Sequence, residues 1–343
     1  MKKVTAFAMA AVVAASALTG CGSSSTAETT AAATEAKTEA AAADSTEAAK
    51  EDGKTYNVGI CQLVQHPALD AATEGFEAAL KDKLGDNVKF DLQNASGDSA
   101  TCATIINQFV SNDVDLILAN ATAALQAAAA GTSEIPILGT SITDYATALD
   151  IDNWTGTTGL NISGTSDLAP LDQQAAMLNE LFPDAKNVGL LYCSAEPNSK
   201  YQATTVKGSL EELGYTCKEY TFADSNDIAS VTTTAAGEND VLYVPTDTTA
   251  ASNAEIINNI CLPAKVPVIE EGICSGCGVA TLSIDYYDIG YKAGEMGAEI
   301  LMDGKDVKEM PIEFAPEVTK KYNKANCEAL GITVPDDYVA IEE

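Results

Sequence analysis

Lys186-Asn187-Val188-Gly189-Leu190-Leu191-Tyr192 repeats the pattern of Tyr56-Asn57-Val58-Gly59-Ile60-Cys61-Gln62. Each run is short, apolar and rich in β-formers, as expected of a strand buried on both faces. At the same register His66-Pro67 meets Glu196-Pro197. Asp115-Leu116-Ile117-Leu118-Ala119 is echoed by Asp240-Val241-Leu242-Tyr243-Val244, and Ile135-Pro136-Ile137-Leu138 by Val266-Pro267-Val268-Ile269. The three offsets are 130, 125 and 131 residues, so the order is preserved with one small deletion. Any α/β chain contains strands that look alike. Three echoes in order at nearly constant offset instead imply two similar halves.

Helical spacing fills the gaps between these runs. Ala72, Phe76, Ala79 and Leu80 share one face after Pro67, and Ile105, Ile106 and Phe109 share another after Asp98. Strand alternating with helix predicts parallel sheets covered on both faces. The expected fold is therefore α/β, with two doubly wound lobes joined by a hinge. We expect lobe 1 to comprise residues 55–161 and 286–310, and lobe 2 residues 162–285 and 311–343.

In open α/β sheets, ligands bind beyond the carboxyl ends of the strands. Two such lobes facing each other would line one cleft with both sets of strand ends. The first lobe then contributes Gln65, His66, Thr122, Ser141 and Thr143. The second contributes Glu196, Asn198 and Asp247, with Asp285 and Tyr286 on the segment that crosses back. Thr122 and Asp247 occupy equivalent places in the repeat, and both also suit the N-cap of a following helix. The set has a polarity. Hydroxyls at helix starts suit a carboxylate, because neutral donors there add to the positive end of the helix dipole. Asp247, Asp285 and Glu196 suit an ammonium group. A zwitterionic α-amino acid satisfies both ends.

Composition narrows the alternatives. The chain holds 50 acidic residues against 19 basic ones, and every basic residue is lysine. No basic patch for nucleic acid exists, and no arginine is present to clamp phosphate or carboxylate in two-pronged fashion. The phosphate-loop and nucleophile-elbow motifs are missing, and His66 is the single histidine, so neither an enzyme, a cofactor nor a metal site is expected. Cys61 and Cys193 lie inside apolar strand patterns and read as small buried hydrophobes. Cys274-Ser275-Gly276-Cys277 is a lone C-x-x-C without a second pair. It keeps open the rival reading of a surface thiol oxidoreductase, beside that of a nucleoside or sugar on the same fold. A regulator's sensor domain is a third alternative, but no DNA-binding segment accompanies it.

The amino terminus addresses the chain. Lys2 and Lys3 precede an apolar stretch from Val4 to Leu18, too short to span a bilayer, followed by Leu18-Thr19-Gly20-Cys21. This ending resembles the bacterial lipobox, which implies a signal peptide over 1–20 and lipidation of Cys21. Acyl chains anchor stably because each buried methylene contributes about 0.8 kcal/mol. The chance cysteine of an ordinary signal peptide is the alternative. From 21 to 54 the composition is Ala, Thr, Ser and Glu without an aromatic residue, which predicts a solvated linker.

Several segments together resemble the ABC-transporter substrate-binding proteins associated with tryptophan and tyrosine uptake. They are Val58-Gly59-Ile60 with His66-Pro67-Ala68-Leu69-Asp70, the run Val88 to Gly97, and Asp115 to Thr122. Gly164-Thr165-Ser166-Asp167, Glu196-Pro197-Asn198-Ser199, Tyr243-Val244-Pro245-Thr246-Asp247 and Ile284 to Tyr291 continue the set in order. The resemblance implies a type I periplasmic-binding fold and capture of an amino acid, commonly aromatic. It also implies delivery to an ABC permease with its ATPase on the outer face of the cell membrane, the binding protein acting as a monomer. Cys193, where an asparagine is expected, and the Cys274 to Cys277 loop depart from the family pattern.

Overall fold

The computed structural model describes residues 54–271 and 276–341; the expected signal peptide, Cys21, the expected linker up to residue 53 and Cys274 lie outside them. The chain opens with β1 (Tyr56–Gln62), α1 (Pro67–Leu84), β2 (Val88–Asn94), α2 (Ser99–Ser111) and β3 (Leu116–Asn120). It continues with α3 (Thr122–Gly131), β4 (Ile137–Ile142), α4 (Tyr145–Ala148) and β5 (Ile162–Ser166). Then come α5 (Leu171–Leu181), β6 (Asn187–Cys193), α6 (Pro197–Glu212), β7 (Thr216–Phe222), α7 (Ile228–Glu238) and β8 (Val241–Val244). After α8 (Thr248–Ala251), α9 (Ala254–Ala264), β9 (Val268–Glu270) and β10 (Ala280–Ser283) runs α10 (Tyr286–Asp303). The chain ends with β11 (Glu313–Phe314), β12 (Thr319–Tyr322), α11 (Lys324–Leu330) and β13 (Val339–Ala340).

The strands form two sheets. One has the order β11-β5-β4-β3-β1-β2 and the other β13-β12-β10-β9-β8-β6-β7. Within both, the five-strand cores run parallel and in the same relative order: 5-4-3-1-2 in one, 10-9-8-6-7 in the other. The repeat legible in the sequence is thus a repeat of topology, with β1, β3 and β4 matched by β6, β8 and β9. Only β12 runs antiparallel to its neighbour, β10. Central strands β3, β4 and β5 are buried along their whole length, and β2, at the sheet edge, is only partly covered.

The passages between sheets fall after Ser166, between Ser283 and Tyr286, and between Phe314 and Thr319. The first and third lie later than the boundaries expected at 161 and 310, because β5 and β11 both pair within the first sheet. The reading missed β5 because its sequence, Ile162-Ser163-Gly164-Thr165-Ser166, carries hydroxyls on both faces. Each hydroxyl is used internally: Ser163 Oγ donates to Met310 O at 3.0 Å, Thr165 Oγ1 to Thr140 Oγ1 at 3.2 Å, and Ser166 Oγ to Thr143 O at 2.9 Å.

Helix α10 begins at the second passage and lies along α1. The two approach so closely that side chains are excluded at the contact. A Cβ on Gly75 would overlap the Tyr287 carbonyl oxygen, and one on Gly290 would overlap the Ala72 carbonyl oxygen. Ala72 of α1 accordingly joins the apolar cluster holding Ile284, Tyr286 and Ile289. Replacing Gly290 by Ala should force the helices apart and destabilise the fold by about 1 to 3 kcal/mol, as overpacking does. A thermal-unfolding midpoint for G290A equal to wild type would contradict this account of the seam.

Candidate functional site

The carboxyl ends of the strands carry buried polar groups that the protein itself leaves unpaired. Among the described residues, eight buried side-chain oxygens have no hydrogen-bond partner. Six belong to Asn120, Ser141, Asp167, Asn198, Glu270 and Glu271. These sit at the end of β3, near the end of β4, just past β5, at the start of α6, at the end of β9 and just past β9. A buried polar atom without a partner costs about 1 to 3 kcal/mol, so such atoms are rare and mark strain, an ion or a ligand.

Backbone geometry is unusual at the same places. Ala121, the N-cap of α3, has φ 85°, and Ser141 has φ 56°. Non-glycine residues adopt this left-handed region at a cost, and such strain gathers at functional sites. At Ser141 the cause is local: the pairing of β4 with β5 shifts register between Gly139 and Ile142. Tyr145 fills the space left by Gly139 and Gly164, and its phenol donates to Thr165 O at 3.0 Å.

The expected residues of the first lobe fall into three groups. Ser141, Thr143 and Thr122 are all buried near the ends of β4 and β3. Thr122 is the first residue of α3 rather than its cap, since Ala121 takes that position. His66 caps α1, its Nδ1 accepting the Ala68 N–H at 3.3 Å, and burial lowers its pKa. Gln65 beside it is exposed. Behind them Gln62, Thr73 and Asn120 are linked: Thr73 Oγ1 donates to Gln62 Oε1 at 2.7 Å and accepts from Asn120 Nδ2 at 3.0 Å, which also donates to Leu69 O at 2.8 Å.

In the second lobe the acids hold the fold together. Asp247 is fully buried; one carboxylate oxygen accepts the Ala250 N–H and the other the Cys193 N–H, both at 2.7 Å. Burial and the neighbouring Glu196 push its pKa up to about 8. Glu196 accepts from the Thr248 and Thr249 N–H groups at 2.9 Å each, so two carboxylates serve the start of α8. Asn198 Nδ2 donates to Thr246 O at 2.9 Å, bolting α6 to the segment after β8. Asp285 is exposed and caps α10 through the Tyr287 and Asp288 N–H groups. The expectation that Asp247 and Asp285 grip an ammonium group is not carried forward: the structure gives both carboxylates helix-capping work. Tyr286 is buried and donates to Asp167 Oδ2 at 3.0 Å, while Tyr287 lies half-exposed against Tyr291.

Sequence reading passed over Asp167, Glu270 and Glu271, all buried. Burial pushes Asp167 up to about 6 against the pull of the Thr143 and Tyr286 hydroxyls, and Glu270 up to about 7. Glu271 is likewise raised by burial. Glu270 Oε2 accepts from both the backbone N–H and the thiol of Cys277 at 2.9 Å. Cys277 is thus a buried partner of a carboxylate. Cys61 and Cys193 are buried free cysteines, as their apolar settings implied.

Comparison with known proteins gives the family. Residues 57–342 match the family of ABC transporter substrate binding proteins. The chain is 36% identical to a tyrosine-binding protein of Clostridioides difficile strain R20291, over 96% of this chain and 92% of that one. A Streptococcus pneumoniae ABC domain in complex with L-Trp is 31% identical, with a TM-score of 0.77 over 82% of this chain and 97% of the other. A ligand-free, open substrate-binding protein with adhesive properties from Clostridium difficile is 36% identical, with a TM-score of 0.65 over 84% and 100%.

The capping roles separate the two acids in a measurable way. Asp247→Ala strands two buried N–H groups and should lower the stability of the ligand-free protein by roughly 2 kcal/mol or more. Asp285→Ala loses an exposed cap and should cost about 1 kcal/mol. Equal thermal midpoints for D247A and wild type would refute the structural role of Asp247.

Proposed function

The chain belongs to the ABC transporter substrate-binding proteins, and from that premise we propose that it captures a zwitterionic amino acid outside the cell membrane and passes it to an ABC permease. Its two-sheet architecture is the type I periplasmic-binding fold, whose strand ends face a shared cleft. The observation that carries the reading is the gathering of unpaired buried oxygens at those strand ends. An arginine-free cleft holds a carboxylate with hydroxyls and backbone N–H groups, and Ser141, Thr143 and Thr122 supply that chemistry. The relatives' ligands, tyrosine by name in one and L-Trp in the crystal of another, favour an aromatic side chain.

Binding proceeds by closure of the two lobes about their three passages. The comparison supports this: the chain superposes better on the tryptophan complex than on the open, ligand-free relative, although the latter has the higher sequence identity. The protein works as a lipoprotein. Cleavage before Cys21 and its acylation hold the binding body at the outer membrane face, near the permease it serves.

A thermal-shift screen of the twenty amino acids, with nucleosides and sugars as controls, tests the ligand class. A ligand at 100 times its Kd should stabilise the protein by about 2.7 kcal/mol, with tryptophan and tyrosine foremost. Ser141→Ala should weaken that ligand by roughly tenfold, the worth of one hydrogen bond to a charged group. A shift with a nucleoside or sugar and none with any amino acid would refute the reading. Cys21→Ser should move the protein from the membrane fraction to the soluble one; an unchanged distribution would exclude the lipid anchor.

A further inference from the structure

The acids expected to meet the ligand's cationic end are engaged in helix caps, whereas buried Asp167 keeps one carboxylate oxygen without a partner. We propose that Asp167 binds the α-ammonium group of the ligand and so selects amino acids over carboxylic acids that lack one. The inference rests on the reading of the cleft as an amino-acid site.

Asp167 lies on the first passage between the sheets, one residue past β5. Its N–H donates to Ile142 O at 3.2 Å, which sets it between Ser141 and Thr143 of the neighbouring strand end. Only 2% of the residue is exposed. Oδ2 accepts from the Tyr286 phenol at 3.0 Å, and Oδ1 has no partner. Among the described residues no lysine forms an ion pair with it. A buried carboxylate normally has a cation or several donors around it, because desolvation of a lone charge is costly. Here the Tyr286 phenol serves Oδ2 and the Thr143 hydroxyl also draws on the carboxylate, while Oδ1 stays without a partner.

Ser141, a residue away from Ile142, shows the complementary deficit. Its Oγ is buried without a partner, and the bulge in β4 holds its backbone at φ 56°. A hydroxyl can donate to a carboxylate, and Asp167 Oδ1 can accept from an ammonium. An α-amino acid carries both groups on one carbon, so adjacent sites of opposite polarity are what it requires. Glu270 and Glu271 do not fit as well. Glu270 faces Cys277 and crowds Gly278, and Glu271 accepts the Leu282 N–H at 3.2 Å, so both turn into the strands of their own sheet. The high proton affinity of Asp167 agrees with a carboxylate that lacks its cation in the ligand-free protein.

The test is calorimetric titration of wild type and Asp167→Asn with L-tryptophan, L-tyrosine and their des-amino counterparts, indolepropionate and 4-hydroxyphenylpropionate. D167N keeps the shape and removes an uncompensated buried charge, so its ligand-free fold should be no less stable. Wild type should prefer the amino acids strongly. In D167N their affinity should fall by roughly 30-fold or more, with the des-amino acids unchanged, so that the preference collapses. A wild-type preference in D167N would overturn the assignment, as would equal weakening of both probe classes. Tyr286→Phe leaves the carboxylate in place and removes one hydrogen bond to Oδ2. It should narrow the preference by a smaller factor, and an unchanged preference would count against the assignment. If wild type binds no amino acid in the twenty-member screen, the amino-acid reading falls and this assignment with it. If wild type binds and D167N binds equally well, only the assignment falls.

Discussion

The seam between α1 and α10 is the contact that fixes where the chain returns from the second sheet to the first. Helix α10 starts where the chain returns from the second sheet, and two missing side chains let its backbone rest on that of α1. Because close-packed backbones cannot slide by fractions of a side chain, the first turn of α10 has one position relative to the first sheet. Tyr286 stands in that turn and meets Asp167, which stands on a different passage. Two of the three connections between the sheets are thereby joined by one hydrogen bond.

Electrostatics follows from composition. A chain with 50 acids and no arginine has few ways to neutralise a buried carboxylate. The ion pairs among the described residues all use lysines, whose ammonium groups lie at the surface. Such pairs contribute little to stability. Inside, the protein relies on backbone N–H groups: Asp247 and Glu196 at α8, Glu270 at Cys277, Glu271 at Leu282. Asp167 differs from these: its side chain accepts from the Tyr286 phenol, and its own N–H bonds the neighbouring strand end at Ile142.

Much of the architecture could be read in advance because buried parallel strands advertise themselves as apolar runs. The echo of Val58-Gly59-Ile60 in Val188-Gly189-Leu190 marked both sheets. The capping of α8 by Asp247 followed from its residue type and place. Strand β5 was hidden, since Ser163, Thr165 and Ser166 are polar and their partners, Met310, Thr140 and Thr143, are distant or unremarkable in sequence. The same concealment affected Asp167. It follows four small residues in a run that reads as a loop, and only the pairing of β5 with β4 carries it inside. Asp247 and Asp285 are ambiguous for the opposite reason: a carboxylate after a strand suits a ligand and a helix start equally, and the structure shows the capping.

The double carboxylate at the start of α8 has a kinetic consequence. Glu196 joins α6 to α8, Asp247 joins α8 to β6, and Asn198 joins α6 to the segment after β8. The strand ends of this sheet are therefore tied into one unit. If the lobes close on a ligand as proposed, its release requires that unit to tilt as a whole, a collective motion on the microsecond-to-millisecond scale. Residence time would then be governed by the three passages between the sheets rather than by the contacts at the rim.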